Sequence, residues 1–157
     1  MGYQIQGVIG RSDRVVLVAQ ELDLVIVDLS QGFSLLPWTP SNFDLLGPSD
    51  RETEPAGFLY SHSRLLQTVA ERSGQEGLAY VEADFFGGTG DQGAIVFRDG
   101  KRSWLSERGQ IRRGMPITPI SEALQRLGVD RAGFHDEFAA LGLGRHRETE
   151  AWLSEFP

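Results

Sequence analysis

The chain has 157 residues, the usual size of a single domain, and its 22 acidic against 15 basic residues give a formal net charge of −7. That charge argues against nucleic acid or an anionic membrane as a partner, since phosphate groups favour clustered Lys and Arg, and it suits solubility or docking to a basic protein. The chain has no cysteine, which excludes disulfides, thiolate catalysis and Cys-ligated metal centres.

The N-terminal residues carry no recognisable targeting signal. A basic start followed by an apolar run is missing, and no stretch of the sequence approaches the ~20 apolar residues of a membrane span. We therefore expect a cytoplasmic protein without a membrane partner.

Short alternating or β-branched runs predict strands in the first forty residues: 3–9, Val15–Ala19, Leu24–Asp28 and Phe33–Trp38. Residues 47–57 are rich in Pro, Gly and acidic residues, which predicts a surface loop. An amphipathic helix is expected next, over Tyr60–Arg72.

The strongest strand signal lies at Leu78–Phe86. Alternation puts Ala79, Val81, Ala83 and Phe85 on an apolar face that should pack on the core. The opposite face then carries two carboxylates, Glu82 and Asp84. A returning strand is expected over Ala94–Arg98, and Asp99-Gly100 predicts a tight hairpin into Lys101–Leu105.

Glycines fill the connection between these strands, and Gly87–Gly93 is expected to be a turn that needs positive φ. Gly88 to Gly93 matches the G-x-G-x-x-G letters of a dinucleotide-binding loop. That loop must open a helix, whereas strand-like residues follow here. No nucleotide or other cofactor is expected.

Glu82 and Asp84 lie two apart on one strand face, with Cβ atoms ~6–7 Å apart. With Asp91 nearby, they could serve acid–base chemistry or hold a hard divalent cation. The favoured interpretation is a solvated outer face with Arg98 as the cross-strand ion pair. In a variant of it, this acidic face binds a protein partner, and no metal is expected.

The last third of the chain is predicted to be helical. Thr118 with Pro119 marks a helix start and Gly128 its end, and further helices are expected over Phe134–Leu141 and Arg147–Phe156.

Between the last two of these helices, Arg145, His146 and Arg147 form a basic cluster that could bind a phosphate or carboxylate. The ordinary alternative is a charged helix start at the surface. If the arginines reached Glu82 and Asp84 in space, the two features would form one ion-pair network.

No catalytic residue is assigned. The three histidines are far apart in sequence, and no H-E-x-x-H or G-x-S-x-G pattern occurs.

The segments YVEADFFGGTGDQGAIVF, ITPISEALQRLGV and DEFAALGLGRHRETEAW resemble a family of small uncharacterised bacterial proteins, over roughly residues 60–157. Its members look like immunity or accessory proteins found beside secreted toxins. The resemblance implies that a few residues are family positions, without assigning them a role: Glu82, Gly87, Gly88, Gly90, Gln92 and Arg145.

The sequence thus predicts one α+β domain over residues 1–157. It should have an antiparallel or mixed sheet of five to seven strands, with helices concentrated in the C-terminal half and packed on one face. The leading hypothesis is a non-catalytic interaction protein, of the immunity kind, that binds a basic toxin domain. The alternatives are a small metal- or phosphate-binding enzyme and a homodimeric structural protein. The expected partner-binding residues are Glu82, Asp84, Asp91, Gln92, Arg145 and His146.

Overall fold

The computed structural model describes residues 2–86, 89–112 and 114–155, and it is an α+β fold around a six-stranded antiparallel sheet. The predicted fold class and strand number are confirmed. The strands are β1 (Tyr3–Arg11), β2 (Val27–Asp28), β3 (Phe33–Pro37), β4 (Leu78–Phe86), β5 (Thr89–Arg98) and β6 (Lys101–Gln110). The helices are α1 (Ser12–Leu22), α2 (Pro40–Leu45), α3 (Ser63–Arg72), α4 (Pro119–Arg126) and α5 (Glu137–Leu141), with a 3-10 segment at Thr149–Glu155.

The strand order is β2-β3-β1-β4-β5-β6, so β1 and β4 occupy the centre of the sheet. Their register sets Gln6 opposite Glu82 and Gln4 opposite Asp84, and Asp84 in turn faces Asp91 on β5. Directly opposed residues project from the same face. Gln4, Asp84 and Asp91 therefore form a row across three strands.

Both faces of the sheet are covered by helices, and three of the five α-helices in the part of the chain that the structure describes precede β4. The expected concentration of helices in the C-terminal half, packed on one face, is therefore wrong. The C-terminal helices α4 and α5 pack on one face, against a core that includes Ile5, Val81 and Trp152. Helices α1 and α3 cover the opposite face, which contributes Val8 and Tyr80. Helices on two faces are needed because the central strands bury apolar side chains on both sides.

The predicted strand at Val15–Ala19 is wrong, because this segment belongs to helix α1. Its buried residues Val15, Val18, Ala19 and Leu22 follow the three-and-four spacing of a helix. The β-branched composition suggested a strand, but burial of this stripe against the sheet outweighs the small propensity difference. Of the run Leu24–Asp28, only Val27–Asp28 is a strand.

The expected turn at Gly87–Gly93 is also corrected. Strand β5 already begins at Thr89, while Gly87 and Gly88 lie outside the described residues. Gly90 does not have a positive φ. A glycine is needed there because a Cβ would lie only 2.4 Å from the carbonyl oxygen of Asp84.

The outer edge of the sheet is β6, a strand of ten residues with two register irregularities. Irregular edges are poor templates for adding another strand. The other edge, β2, has two residues. Neither edge favours the homodimer formed by strand pairing.

In the part of the chain that the structure describes, no helix has the length and apolar character required to cross a bilayer.

Candidate functional site

Glu82 does not lie on a solvated face. It is 0% exposed, on the central strand β4, beneath the chain segment around Leu59 and Tyr60. The predicted outer acidic face is therefore wrong at this position. A partner cannot touch Glu82 directly.

Both carboxylate oxygens of Glu82 are fully hydrogen-bonded. Oε1 accepts from the N–H of Leu59 (2.8 Å) and from the Arg108 guanidinium (2.7 Å). Oε2 accepts from the N–H of Tyr60 (2.9 Å) and from the Tyr80 hydroxyl (2.7 Å). Four donors saturate a carboxylate, so its lone pairs are used to hold structure.

Burial and the Glu82 charge raise the pKa of Tyr80 well above its usual value. The phenol therefore remains protonated and serves as a permanent donor to Glu82. Arg108, whose side chain is 4% exposed, supplies the opposite charge. The pair is neutral overall, as a buried charge requires.

The expected ion-pair partner, Arg98, lies elsewhere and donates to the carbonyl of Arg126. Arg108 takes its place because Gly93, directly opposite Glu82, has no side chain. A Cβ on Gly93 would lie 2.8 Å from the Arg108 Cα. Gly93 in the sequence indicates open space opposite Glu82. The identity of the residue that fills it, Arg108, could not be predicted because the β5–β6 register is irregular at this point.

Gln92 is buried as well. Its side-chain oxygen accepts the N–H of Ile120 (3.0 Å), in the first turn of α4. Thr118 caps the same helix by accepting from Ser121. Gln92 thus links α4 to β5 by a hydrogen bond, and its buried side chain is not accessible to a partner.

Asp84 and Asp91 are exposed, directly opposite each other. Neither forms an ion pair within residues 2–86, 89–112 and 114–155. Phe86, two residues along β4, is 72% exposed. Phe86 projects from the same face as Asp84 and Asp91. We call Gln4, Asp84 and Asp91 the acidic row.

Arg145 and His146 form a separate cluster. The Arg145 guanidinium donates to both carboxylate oxygens of Glu155 (2.8 and 3.0 Å) and to the carbonyl of Asp28 (2.9 Å). His146 contacts the same carboxylate, and its ring meets Trp152 edge-on.

Burial alone would raise the pKa of Glu155, but hydrogen bonds from His146 and Arg145 outweigh it and hold the pKa below its usual value. Among the described residues Arg145 does not reach Glu82, so the condition for one joint ion-pair network is not met. The six predicted partner-binding residues do not make one site.

A pocket of about 340 Å³ opens beside the acidic row, and the sequence did not predict it. Its lining comes from both ends of the chain and from the middle: Gln4, Gln6, Pro40, Tyr60, Glu148, Thr149 and Glu150. We call it the Gln6 pocket. No local pattern could reveal it, because more than 140 positions separate Gln6 from Thr149, which hydrogen-bond in the structure.

An apolar pocket of about 190 Å³ adjoins the Gln6 pocket and shares Pro40 and Tyr60 with it. Its other walls include Trp38, Phe43 and Leu59. The two pockets together offer an aromatic surface next to an acidic one.

Within the described ranges, no three His, Asp or Glu side chains gather in a way that could hold a metal ion. No family model, curated protein or solved structure matches this chain.

Proposed function

We propose that this protein is a non-catalytic, cytoplasmic interaction protein that binds a basic protein partner through its acidic row. The partner we propose is a toxin domain, which makes this chain an immunity protein. The observation that carries the proposal is the direct opposition of Asp84 and Asp91, two exposed carboxylates with no ion pair among the described residues.

Like charges directly opposite each other across two strands destabilise a sheet by roughly 0.2–1 kcal/mol. Lys or Arg side chains of a partner placed between Asp84 and Asp91 would convert that repulsion into attraction. The net charge of −7 would add steering of a basic protein toward this face. Phe86 offers exposed apolar surface beside the charges.

The hydrogen bonding of the Glu82 carboxylate supports a binding role for this face in preference to a catalytic one. A general base or a metal ligand needs a free lone pair, and the four donors around Glu82 occupy its carboxylate. The buried ion pair thus supports the surface without taking part in chemistry.

The test is affinity capture from the native host with the wild-type protein and with the double variant Asp84→Lys/Asp91→Lys. We expect the wild type to retain one stoichiometric basic protein, which then binds as a purified component and loses affinity as salt rises. The double variant should lose it. The matched control is Glu71→Lys/Glu76→Lys, which makes the same charge change at exposed positions near the start of β4, roughly 20 Å from the acidic row.

Two results would refute the proposal. One is the absence of any partner that binds again when purified. The other is a partner that both double variants weaken equally, since that would indicate general charge attraction without a specific surface.

A further inference from the structure

The Gln6 pocket contains a polar group that the fold leaves unused. Gln6 is 3% exposed, and its side-chain oxygen has no hydrogen-bond partner among the described residues. Its backbone N–H, by contrast, donates to the Thr149 hydroxyl (3.1 Å). A buried amide oxygen without a donor destabilises the structure, so a ligand that supplies a donor recovers that free energy.

The rim of the pocket is negatively charged. Glu148 and Glu150 line it, and both are exposed without an ion pair in the described part of the chain. The nearest basic residue in sequence, Arg147, contributes its carbonyl to the N–H of Gln4 (2.7 Å). Carboxylates and an amide oxygen together favour a ligand with several donors and a positive charge.

One wall of the pocket is aromatic. Tyr60 is fixed there by two hydrogen bonds: its N–H donates to Glu82, and its hydroxyl accepts from the Gln4 side chain (3.1 Å). A guanidinium stacks on aromatic faces and donates in a planar fork that fits carboxylates, whereas an ammonium is a compact charge. The pocket's volume of about 340 Å³ falls at the small end of the range of ligand sites, about 300–1,000 Å³.

We infer that the Gln6 pocket receives one arginine side chain of the protein partner. Its guanidinium would donate to Gln6 and to Glu148 or Glu150, and would stack on Tyr60. The apolar pocket beside it would take a neighbouring aromatic or aliphatic side chain of the same partner. This inference rests on the proposed function, because it names the group of the partner that the surface recognises.

The test uses N-acetyl-arginine methylamide as the probe, titrated into the full chain and followed by NMR of the Gln4 and Gln6 side-chain amides. We expect saturable shifts of these two amides. The neutral citrulline analogue should produce none, and the lysine analogue should bind several-fold more weakly. Arginine and lysine probes that bind equally would overturn the assignment of a guanidinium.

A pair of double variants separates the pocket from general charge. Glu148→Gln/Glu150→Gln removes two negative charges from the pocket rim, and Glu71→Gln/Glu76→Gln removes two from exposed positions roughly 20 Å from the acidic row. Loss of one charge-assisted hydrogen bond corresponds to about a tenfold weaker Kd. We expect that loss for the Glu148/Glu150 variant and a change within about twofold for the Glu71/Glu76 variant, whose residues lie outside the pocket and farther from it than the screening length.

Equal weakening by both variants, or no shift of the Gln6 amide at high probe concentration, would refute the inference. That failure differs from failure of the proposed function. A captured partner that depends on Asp84 and Asp91 would sustain the interaction role even when the arginine probe does not bind.

Discussion

At the scale of single residues, the most consequential side chain is Glu82. Breaking a buried ion pair leaves the remaining charge without compensation, which is far costlier than losing a surface pair. Here Arg108 would be that remaining charge, in a site where its side chain is 4% exposed. The four donors also join strands β4 and β6 to the segment at Leu59 and Tyr60.

We therefore predict that Glu82→Gln lowers the free energy of unfolding by about 3–5 kcal/mol, measured by urea denaturation. The control Asp84→Asn, two residues along the same strand, is exposed and should not destabilise the protein; loss of the repulsion from Asp91 should raise the unfolding free energy by at most about 1 kcal/mol. Adding Arg108→Met to Glu82→Gln should cost less than the sum of the single changes, since the two residues contact each other. Additive losses would contradict the coupling.

Gly93 provides a second residue-scale prediction. An added Cβ would lie within 2.8–2.9 Å of three Arg108 atoms, two of which are backbone. Gly93→Ala should therefore destabilise the protein by about 1–3 kcal/mol, the usual cost of overpacking. The neighbouring-strand control is Gly109→Ala, whose Cβ would meet only one atom, at 3.9 Å. Equal melting temperatures of the two variants would show that Gly93 does not position Arg108.

At the scale of elements, local signals predicted some segments accurately and others not at all. Strand β4 spans Leu78–Phe86 as predicted, because strict alternation leaves little ambiguity. Helix α4 begins at Pro119 after the Thr118 cap, since capping is encoded by adjacent residues. For the segment of helix α1 the sequence alone predicts a strand, because its valines fit both patterns until the sheet that buries them is known.

The attachment of α4 is a tertiary feature that its own sequence does not show. Replacing Gln92 with Leu leaves the buried N–H of Ile120 without its acceptor, at a cost of about 1–3 kcal/mol. Hydrogen exchange should show faster exchange of the Ile120 amide in Gln92→Leu. The control is Gln110→Leu, an exposed glutamine on the adjacent strand β6. Unchanged protection of Ile120 would contradict this role of Gln92.

At the scale of the whole molecule, the sheet brings distant parts of the chain together, and prediction from sequence fails there for a physical reason. The Gln6 pocket joins residues from β1, from the segment around Tyr60 and from the C-terminal region. The fold class follows from local patterns, whereas which loops meet at one end of the sheet depends on strand order. Asp84 and Asp91 were predicted as site residues, but their direct opposition required the register.

The stability of the whole protein should fall in acid. The pKa of Glu155 is held below its usual value of 4.5, and hydrogen bonds from Arg72 likewise lower the pKa of Glu21. The unfolded chain then binds more protons than the folded one as the pH drops below 4.5. The contribution of these two carboxylates to the unfolding free energy is therefore fully present above pH 4.5. It declines as the pH falls through their lower pKa values in the folded state.

The measurement is urea denaturation between pH 3 and pH 7. Glu155→Gln should be less stable than the wild type at neutral pH and should show a shallower decline below about pH 4.5. Glu148→Gln is the control, an exposed glutamate of the same region. An acid decline of the same steepness in Glu155→Gln and in the wild type would contradict the assignment.

Glu82 fixes the backbone of Tyr60, and Tyr60 is a wall of both pockets. This wall of the proposed binding surface is thus held in place before the proposed partner arrives, and little conformational entropy remains to be lost there on association. Preorganisation of this kind strengthens binding without any new contact. Weakening the ion pair beneath Tyr60 should then lower affinity for the proposed partner chiefly through an entropic penalty, although Glu82 is buried and out of reach of any partner.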